Sequence, residues 1–308
     1  MGAASRRRLA LALLVVTPGL WSANYIVARA AVGVVEPHML ALLRWSFALL
    51  LMLPFAWRSL SREFPAWRGE WRRMLVLGAL GMWICGAFVY IGARTTAATN
   101  IGLLYAISPV MIALGSAVFF GERMSRAQAA GVGLALGGML FVLAKGSAAN
   151  LAAVRFTVGD GWILAAVISW TVYSLLLRHW QSALDPFARL AVITVAGLVV
   201  LAPFTLAEAW RAGLPDAGSS KVWLLALVAA ALPGFGAYQA YSYMQRELGA
   251  ARTGLVMYLG PLWAAAAAWW LLDEPPRWYH FAGAALILPG IYLATRAGRP
   301  AATATAAE

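Results

Sequence analysis

Arg44 is the residue whose surroundings point most directly to chemistry, because it lies inside an apolar stretch. It is flanked by Leu42, Leu43, Trp45 and Phe47. A charge buried in this way is costly unless it faces water or a partner. A guanidinium and a carboxylate match as a two-bond fork, so Arg44 is a candidate anchor for a carboxylate-bearing solute. Two other interpretations stay open: the side chain could extend to the lipid headgroups, or it could cap backbone carbonyls of a neighbouring helix.

Aromatic and amide side chains at mid-helix positions form the rest of the candidate site. The chain holds 15 Trp, 10 Tyr and 12 Phe, and most of them should lie in interface belts or pack between helices. A tyrosine hydroxyl in lipid would lack a partner, so mid-helix tyrosines are expected to face the protein interior. The candidate solute-binding residues are Trp21, Asn24, Arg44, Trp83, Tyr90, Tyr105, Trp170, Tyr173, Tyr238, Gln239 and Tyr258.

Four of the prolines inside apolar stretches are predicted to interrupt their helices. Each lacks a backbone donor and frees a carbonyl one turn back, so it could act as a hinge, as a solute contact or as a fixed kink. The candidate hinge residues are Pro18, Pro109, Pro233 and Pro261.

Acidic and histidine side chains are predicted to lie near helix ends rather than at mid-membrane depth. His38, His179 and His280 follow this pattern, so no central histidine relay is predicted. An exporter of cationic drugs usually needs a buried carboxylate that exchanges protons for cargo, and the pattern disfavours that class. The sequence predicts no metal site and no cofactor. It contains no HExxH or GxSxG motif and no pair of buried acids, which disfavours a membrane-embedded enzyme.

The elements that position these residues are predicted to be transmembrane helices. The chain is 62% hydrophobic and 12% charged, whereas a soluble domain carries about 25% charged residues. A bilayer core requires about 20 apolar residues per helix. The sequence predicts spans at 9–32, 38–57, 73–93, 98–119, 126–144, 160–180, 186–206, 221–244, 250–271 and 277–296.

Basic residues predict the orientation of these spans. With the N-terminus inside, 16 of the 24 Lys and Arg residues fall in inside segments, 6 fall in outside segments, and Arg29 and Arg44 lie in helices. This asymmetry follows the positive-inside rule. The net charge of +12 is therefore attributed to the basic residues that determine membrane topology, and no nucleic-acid partner is expected. The prediction is a multi-pass protein of the bacterial inner membrane with both termini in the cytoplasm.

The chain also contains an internal repeat. Residues 21–55 match residues 170–204 at an offset of 149, and later helices match at an offset of 152. The matched pairs are Trp21 with Trp170, Arg29 with Arg178, Pro37 with Pro186, Pro54-Phe55 with Pro203-Phe204, Pro109 with Pro261, Glu122 with Glu274, Gly131 with Gly283, and Gly138 with Gly290. Arg44 is matched by Ile193, so its charge is not required by the shared fold, whereas the paired Arg29 is interpreted as structural.

The repeat predicts the fold class. Five helices in each half is an odd number, so the second half must enter the membrane from the opposite side. The predicted fold is an all-α membrane protein of ten transmembrane helices in two inverted five-helix repeats, 9–144 and 160–296. Residues 1–8 would form a cytoplasmic N-terminus, 145–159 a periplasmic linker and 297–308 a disordered cytoplasmic tail. Inverted repeats support alternating access, with the solute near the midplane.

These features resemble the EamA family of the drug/metabolite transporter superfamily. The resemblance covers residues 9–296. No short motif within it is specific to the family, whereas the occurrence of the same motifs, in the same order, in both halves is specific. It rests on Trp21-Ser22-Ala23-Asn24, Pro37…Arg44, Ala97-Ala98, Pro109, Gly121-Glu122-Arg123, Gly131 and Gly137-Gly138, and in the second half on Gly249-Ala250, Pro261, Glu274, Gly283 and Gly290. The resemblance implies a ten-helix fold and export or exchange of metabolites, often amino acids, without fixing the substrate.

The sequence therefore predicts a non-enzymatic transporter of small metabolites, amino acids or related carboxylates. A drug, sugar or nucleotide-sugar carrier of the same fold is the alternative, followed by an intramembrane enzyme and by a receptor or assembly subunit. The expected partners are a small-molecule substrate, the lipid bilayer and, as an open question, a proton as coupling ion. A monomer or a homodimer is expected; Gly133-xxx-Gly137 could form a dimer face, although internal packing is the favoured use.

Overall fold

A computed structural model describes residues 2–62, 68–96, 98–122, 124–272 and 275–296. These residues contain helices and turns and no strand. The helices are α1 (Ala3–Ala30), α2 (Pro37–Arg62), α3 (Trp71–Gly92), α4 (Ala98–Tyr105), α5 (Ser108–Phe120), α6 (Arg126–Leu143), α7 (Ala148–Ala152), α8 (Val158–His179), α9 (Pro186–Ala212), α10 (Ser220–Leu248), α11 (Ala250–Gly254), α12 (Gly260–Leu272) and α13 (Trp278–Arg296). The predicted tail at 297–308 lies outside the described residues.

Eight helical stretches of the described chain are long and apolar enough to cross a membrane. They match the first eight predicted spans, with α4 and α5 together forming one stretch. The last two predicted spans, 250–271 and 277–296, coincide with helical residues, but their crossing of the membrane stays a prediction. The boundaries differ at the ends. The helix α1 begins within the segment predicted as an N-terminal extension, and the predicted linker contains the short helix α7.

Local side-chain chemistry determines where several helices begin and end. Pro186 begins α9, and the Asp185 carboxylate before it accepts hydrogen bonds from backbone N–H groups of the first turn. Ser125 and Gln128 form a reciprocal capping box at the start of α6. The preceding helix α5 ends at Gly121, whose φ of 67° lies in the left-handed region that favours glycine.

The helices α6 and α13 pack through the four glycines that the sequence repeat matches. A Cβ added to Gly131 would lie 2.5 Å from the carbonyl oxygen of Gly290, and one added to Gly138 would lie 2.8 Å from that of Gly283. The reciprocal distances, from Gly290 to Gly131 and from Gly283 to Gly138, are 2.7 and 3.0 Å. The two backbones are therefore in direct contact, which only glycine permits at these positions.

Other matched residues also contact one another in reciprocal pairs. Phe55 of α2 stacks on Phe187 of α9 at a centroid distance of 5.3 Å. The residues matched to them by the offset of 149, Phe204 and His38, stack at 6.1 Å. Both contacts join α2 to α9, one near each end of the helix pair. The matched segments of the sequence thus meet through equivalent residues.

Two of the long helices contain a π-helical segment at comparable positions. The segment in α3 covers Ala79–Ile84, and the segment in α10 covers Ala230–Gly236. Pro233, one of the candidate hinges, lies inside the second segment. A π segment interrupts the regular hydrogen-bond ladder, and such interruptions are frequent at functional sites.

The remaining candidate hinges occupy different environments. Pro109 lies in the first turn of α5, directly after the break between α4 and α5. Pro261 lies at the start of α12, after the 3₁₀ segment Leu255–Leu259. Pro18 lies within α1, where the helix continues through it. The structure therefore places three of the four prolines at irregular backbone, and their action as hinges stays a prediction.

The expectation that Gly133 and Gly137 pack internally is wrong. Both glycines are exposed on α6, and a Cβ added to either would have no atom within 4 Å. The internal contact is made instead by Gly131 and Gly138 on the other face of the same helix. A GxxxG motif alone does not indicate which face of the helix is buried.

This arrangement predicts opposite effects for two neighbouring glycine substitutions. Gly131→Ala should lower the free energy of unfolding by about 1–3 kcal/mol, because the new Cβ would collide with backbone atoms of α13. Gly133→Ala is the matched control, and it should be neutral or raise the free energy of unfolding by about 0.5–1 kcal/mol, because alanine favours a helix. The measurement is denaturant-induced unfolding of purified protein in bicelles. Equal effects of the two substitutions would contradict the packing described here.

Candidate functional site

A small cavity lies in the middle of the helix bundle. Its volume is about 50 Å³. Its walls come from α1, α2, α3, α4, α8 and α10 and from the 3₁₀ segment before α12, so both matched segments contribute. The lining residues are Trp21, Asn24, Tyr25, Arg44, Cys85, Val89, Tyr105, Trp170, Tyr238 and Met257.

The guanidinium of Arg44 is held in the cavity by two neutral side chains. Its Nη1 atom donates to Asn24 Oδ1 at 3.1 Å and to the Tyr90 hydroxyl at 3.2 Å. The Tyr90 hydroxyl donates in turn to Asn24 Oδ1 at 2.8 Å, which closes a triangle. The guanidinium also lies 4.6 Å from the centroid of the Trp45 ring, within the range of a cation–π contact.

The environment of Arg44 contains no counter-charge. The side chain is 3% exposed, and its Nε atom is buried with no hydrogen-bond partner. No carboxylate of the described residues lies within 4.0 Å of the guanidinium. A buried cation with only neutral partners is destabilising. The Arg44 charge is therefore without an anionic partner among the described residues.

One side of the cavity is closed by a cluster of five aromatic rings, here called the aromatic layer: Trp21, Trp170, Tyr173, Tyr238 and Tyr241. Trp170 is its centre, with centroid distances of 5.3 Å to Trp21, 5.5 Å to Tyr238 and 4.7 Å to Tyr241. Tyr173 stacks on the same indole at 5.5 Å. The layer therefore forms a wall of directly contacting rings on this side of the cavity.

The π segment of α3 binds the surrounding helices through its backbone. The carbonyl of Leu80 accepts a hydrogen bond from Ser169 of α8 at 2.8 Å. The next carbonyl, of Gly81, accepts from Tyr238 of α10 at 3.0 Å. The carbonyl of Met82 accepts from the Trp45 indole of α2 at 3.1 Å. Three successive carbonyls thus fix side chains from three helices beside the cavity. Backbone groups inside a membrane protein must find such partners, because no bulk water is present.

The structure brings most of the predicted site residues together. Those that line the cavity are Trp21, Asn24, Arg44, Tyr105, Trp170 and Tyr238. The Tyr90 hydroxyl accepts a hydrogen bond from Arg44 without lining the cavity, and Tyr173 belongs to the aromatic layer. The other three predicted residues, Trp83, Gln239 and Tyr258, belong neither to the cavity lining nor to these contacts. Trp83 instead stacks on Phe204 of α9 at 4.0 Å. Whether any of these residues binds a solute stays a prediction.

Sequence reasoning missed four lining residues: Tyr25, Cys85, Val89 and Met257. Helical spacing could have found three of them. Tyr25 lies four residues after Trp21 and therefore on the same face of α1. Cys85 and Val89 are also four residues apart, on α3. Met257 carried no comparable signal, because it lies in a 3₁₀ segment where the α-helical period does not apply.

A model of the EamA-like transporter family matches residues 8–144 and 157–296 of the chain. The chain belongs to the EamA-like transporter family. It is therefore a multi-pass membrane transporter of the drug/metabolite transporter superfamily. The family resemblance expected from the sequence is confirmed.

Several relatives within this group have been named for what they transport. A "Probable terminal-alkyne amino-acid exporter" of Streptantibioticus cattleyicolor is 30% identical over 71% of this chain and 71% of its own. A "Riboflavin transporter" of Rhizobium johnstonii is 29% identical over 80% and 76% of the two chains. A "Probable amino-acid metabolite efflux pump" of Salmonella typhimurium is 28% identical over 94% and 95%.

A solved crystal structure shares the fold of this EamA-like transporter. The two chains superpose with a TM-score of 0.74 over 95% of this chain and 96% of the other. Their sequence identity is 20%, so the likeness concerns the fold alone.

The hydrogen-bond triangle predicts that Tyr90 stabilises the EamA-like fold through its hydroxyl. Tyr90→Phe should lower the free energy of unfolding by about 1–3 kcal/mol, because Arg44 and Asn24 each lose a buried partner. Tyr243→Phe is the matched control. Its hydroxyl makes a 3.4 Å bond at an exposed site, so the expected change is below about 0.5 kcal/mol. Unfolding in bicelles gives both values, and a Tyr90→Phe variant as stable as the control would show that the triangle contributes nothing.

Proposed function

We propose that this transporter exports or exchanges small metabolites that carry a carboxylate, in particular amino acids, by alternating access. The observation that carries the proposal is Arg44, a buried cation that lines a central cavity and contacts only neutral side chains. The names of two relatives, an amino-acid exporter and an amino-acid metabolite efflux pump, support the same class of solute.

The geometry of Arg44 suits a carboxylate that arrives from outside the protein. One nitrogen, Nη1, is already used to hold the side chain against Asn24 and Tyr90. The Nε atom has no partner, so the fork retains donors for a two-bond contact with a carboxylate. The orientation of the guanidinium is fixed before the solute binds. Such preorganisation reduces the entropy that binding would otherwise cost.

Alternating access rests on the architecture predicted from the sequence, ten transmembrane helices in two inverted repeats with both termini in the cytoplasm. Three features support it: the reciprocal glycine contacts of α6 and α13, the equivalent stacking pairs between α2 and α9, and the paired π segments in α3 and α10. The family model also matches the chain in two separate segments. Inverted halves allow two related packings, one open to each side of the bacterial inner membrane.

The cavity is smaller than a typical small-molecule site. Small-molecule sites usually occupy about 300–1,000 Å³, whereas this cavity measures about 50 Å³. We propose that the helices around the cavity separate to make room for a solute at Arg44. The aromatic layer on one side, and the irregular backbone at the π segments and at Pro109 and Pro261, are the proposed places of movement.

A second candidate solute is a larger ring compound. The indoles of Trp21 and Trp170 and the phenol rings of Tyr105 and Tyr238 would stack well on a planar ring. The relative named as a riboflavin transporter supports this reading, and a drug, sugar or nucleotide-sugar cargo belongs to the same alternative. The solute panel below separates these cases. The same assay tests whether transport is coupled to protons, because no acidic residue of the described chain lines the cavity.

The proposal predicts that transport of carboxylates depends on Arg44. In liposomes that contain purified Arg44→Gln protein, kcat/KM for carboxylate-bearing amino acids should fall at least about 30-fold, because a buried charged contact is lost. Arg44→Lys should retain part of the activity, since it keeps the charge without the fork. The assay compares labelled amino acids, their amides, riboflavin and sugars, with and without a pH gradient.

The matched control for this experiment is Arg58→Gln. Arg58 lies on the same helix, α2, and is exposed away from the cavity, so its loss should change kcat/KM less than about twofold. Unchanged carboxylate transport by Arg44→Gln, in protein that unfolds at the wild-type midpoint, would remove the anchor role. Transport of amides as efficiently as of the free acids would have the same consequence.

Alternating access can be tested through Cys85, which is the only cysteine of the chain and lines the cavity. A small membrane-impermeant thiol reagent should label it slowly from either side of the membrane, because the cavity opens to each side in turn. Right-side-out and inverted vesicles provide the two directions, and saturating solute should slow labelling from both. Labelling from one side only, with or without solute, would contradict alternating access.

A further inference from the structure

A second and larger pocket lies at the end of the bundle where α8 ends and α9 begins. Its volume is about 440 Å³, which falls within the range of about 300–1,000 Å³ of small-molecule sites. The pocket and the central cavity share no lining residue. This end of the bundle is the one proposed above to face the cytoplasm. In this conformation the pocket, unlike the cavity, has room for a ligand.

Positive charge dominates the lining of this pocket. Arg178, Arg189 and Arg246 line it, whereas Asp185 is the acidic residue among the lining residues. The Asp185 carboxylate already accepts two backbone N–H groups at the start of α9, at 2.8 and 3.2 Å. Glu70 lies nearby and accepts the N–H of Ala183 at 3.3 Å. No ion pair within 4.0 Å joins any of the three arginines to a carboxylate of the described chain.

The pocket also contains buried polar atoms without partners. Arg189 is oriented by its Nη2 atom, which donates to the carbonyl of Trp180 at 2.7 Å, while its Nε atom is buried and unpaired. Gln245 is 2% exposed; its Nε2 atom donates to the carbonyl of Ser174 at 3.1 Å, and its Oε1 atom has no partner. Most buried polar atoms in proteins have a partner, so these two residues of the pocket lining are polar groups whose hydrogen bonding is incomplete.

We propose that this basic pocket binds an oxyanion, either a carboxylate or a phosphate group, at a site separate from the central cavity. Arg189, Arg178 and Arg246 supply the donors, since guanidinium forks match both groups. The site does not rest on the proposed transport function, because binding here requires no opening of the aromatic layer.

The test measures protection of a cysteine placed in the pocket. In a Cys85→Ala background, Ser182→Cys introduces one thiol at a lining position. The rate of its reaction with the anionic reagent sulfonatoethyl methanethiosulfonate is followed as inorganic phosphate is added at constant ionic strength. Phosphate should slow the reaction with saturation. Arg189→Gln and Arg246→Gln should each weaken the apparent phosphate affinity about tenfold, the loss expected for one charge-assisted hydrogen bond.

The control variant and the lipid composition make the result decisive. Arg126→Gln removes the same charge at the start of α6, outside the pocket lining, and should leave the phosphate affinity unchanged. Arg246 is exposed, so its replacement should not affect folding even if that of Arg189 does. Nanodiscs of phosphatidylcholine alone are compared with nanodiscs that contain phosphatidylglycerol. Protection by phosphate in the first supports a soluble oxyanion, and protection by phosphatidylglycerol without phosphate supports a lipid headgroup.

Two results would overturn the proposal. One is a labelling rate that neither phosphate nor phosphatidylglycerol changes. The other is protection that Arg189→Gln and Arg246→Gln reduce no more than Arg126→Gln does. Because the readout is binding to the pocket rather than solute flux, failure of this site leaves the Arg44 proposal untouched, and failure of the transport assay leaves this site untouched.

Discussion

The organisation of the bundle interior follows from the need to keep one cation inside an apolar environment. Arg44 is enclosed by membrane helices and has no acidic partner among the described residues. Its desolvation must therefore be offset by the dipoles of Asn24 and Tyr90 and by the face of the Trp45 ring. Neutral partners compensate a buried charge only in part. The helices α1, α2 and α3 thus meet around a cation whose charge their own side chains compensate only in part.

Irregular backbone makes this arrangement possible. A regular α3 would satisfy the carbonyls of Leu80, Gly81 and Met82 within the helix, whereas the π segment directs them to donors on α8, α10 and α2. One of those donors is Trp45, whose ring lies against Arg44. Another is Tyr238, which lines the cavity and belongs to the aromatic layer. The backbone of α3 therefore links the charged site to the layer that closes it.

The sequence predicted the parts of this structure that depend on periodic signals. Apolar length located the membrane-spanning helices, and the repeat identified Gly131, Gly138, Gly283 and Gly290, which prove to be the points of contact between α6 and α13. The sequence did not predict which side chains of a helix face the cavity. It therefore indicated Trp83 for the site and not Cys85. The rotation of a helix about its axis depends on packing with its neighbours. The π segments shift that rotation within one helix, and no residue type specifies them.

The two basic sites differ in a way that bears on how a transport cycle would be driven. The proposed oxyanion pocket has a volume of about 440 Å³, which leaves room for an anion without any change of the fold. The cavity around Arg44 is too small for a solute, so an anion can bind there only in a conformation with the helices apart. A ligand shifts a conformational equilibrium only through its different affinity for the two states. Under the proposed function, a carboxylate binds Arg44 preferentially in the open state, because that state has room for it and leaves the Arg44 charge available as its partner. The unpaired charge would then couple solute binding to opening, and a neutral residue such as Ile193, which occupies the matched position in the second repeat, could not provide that coupling.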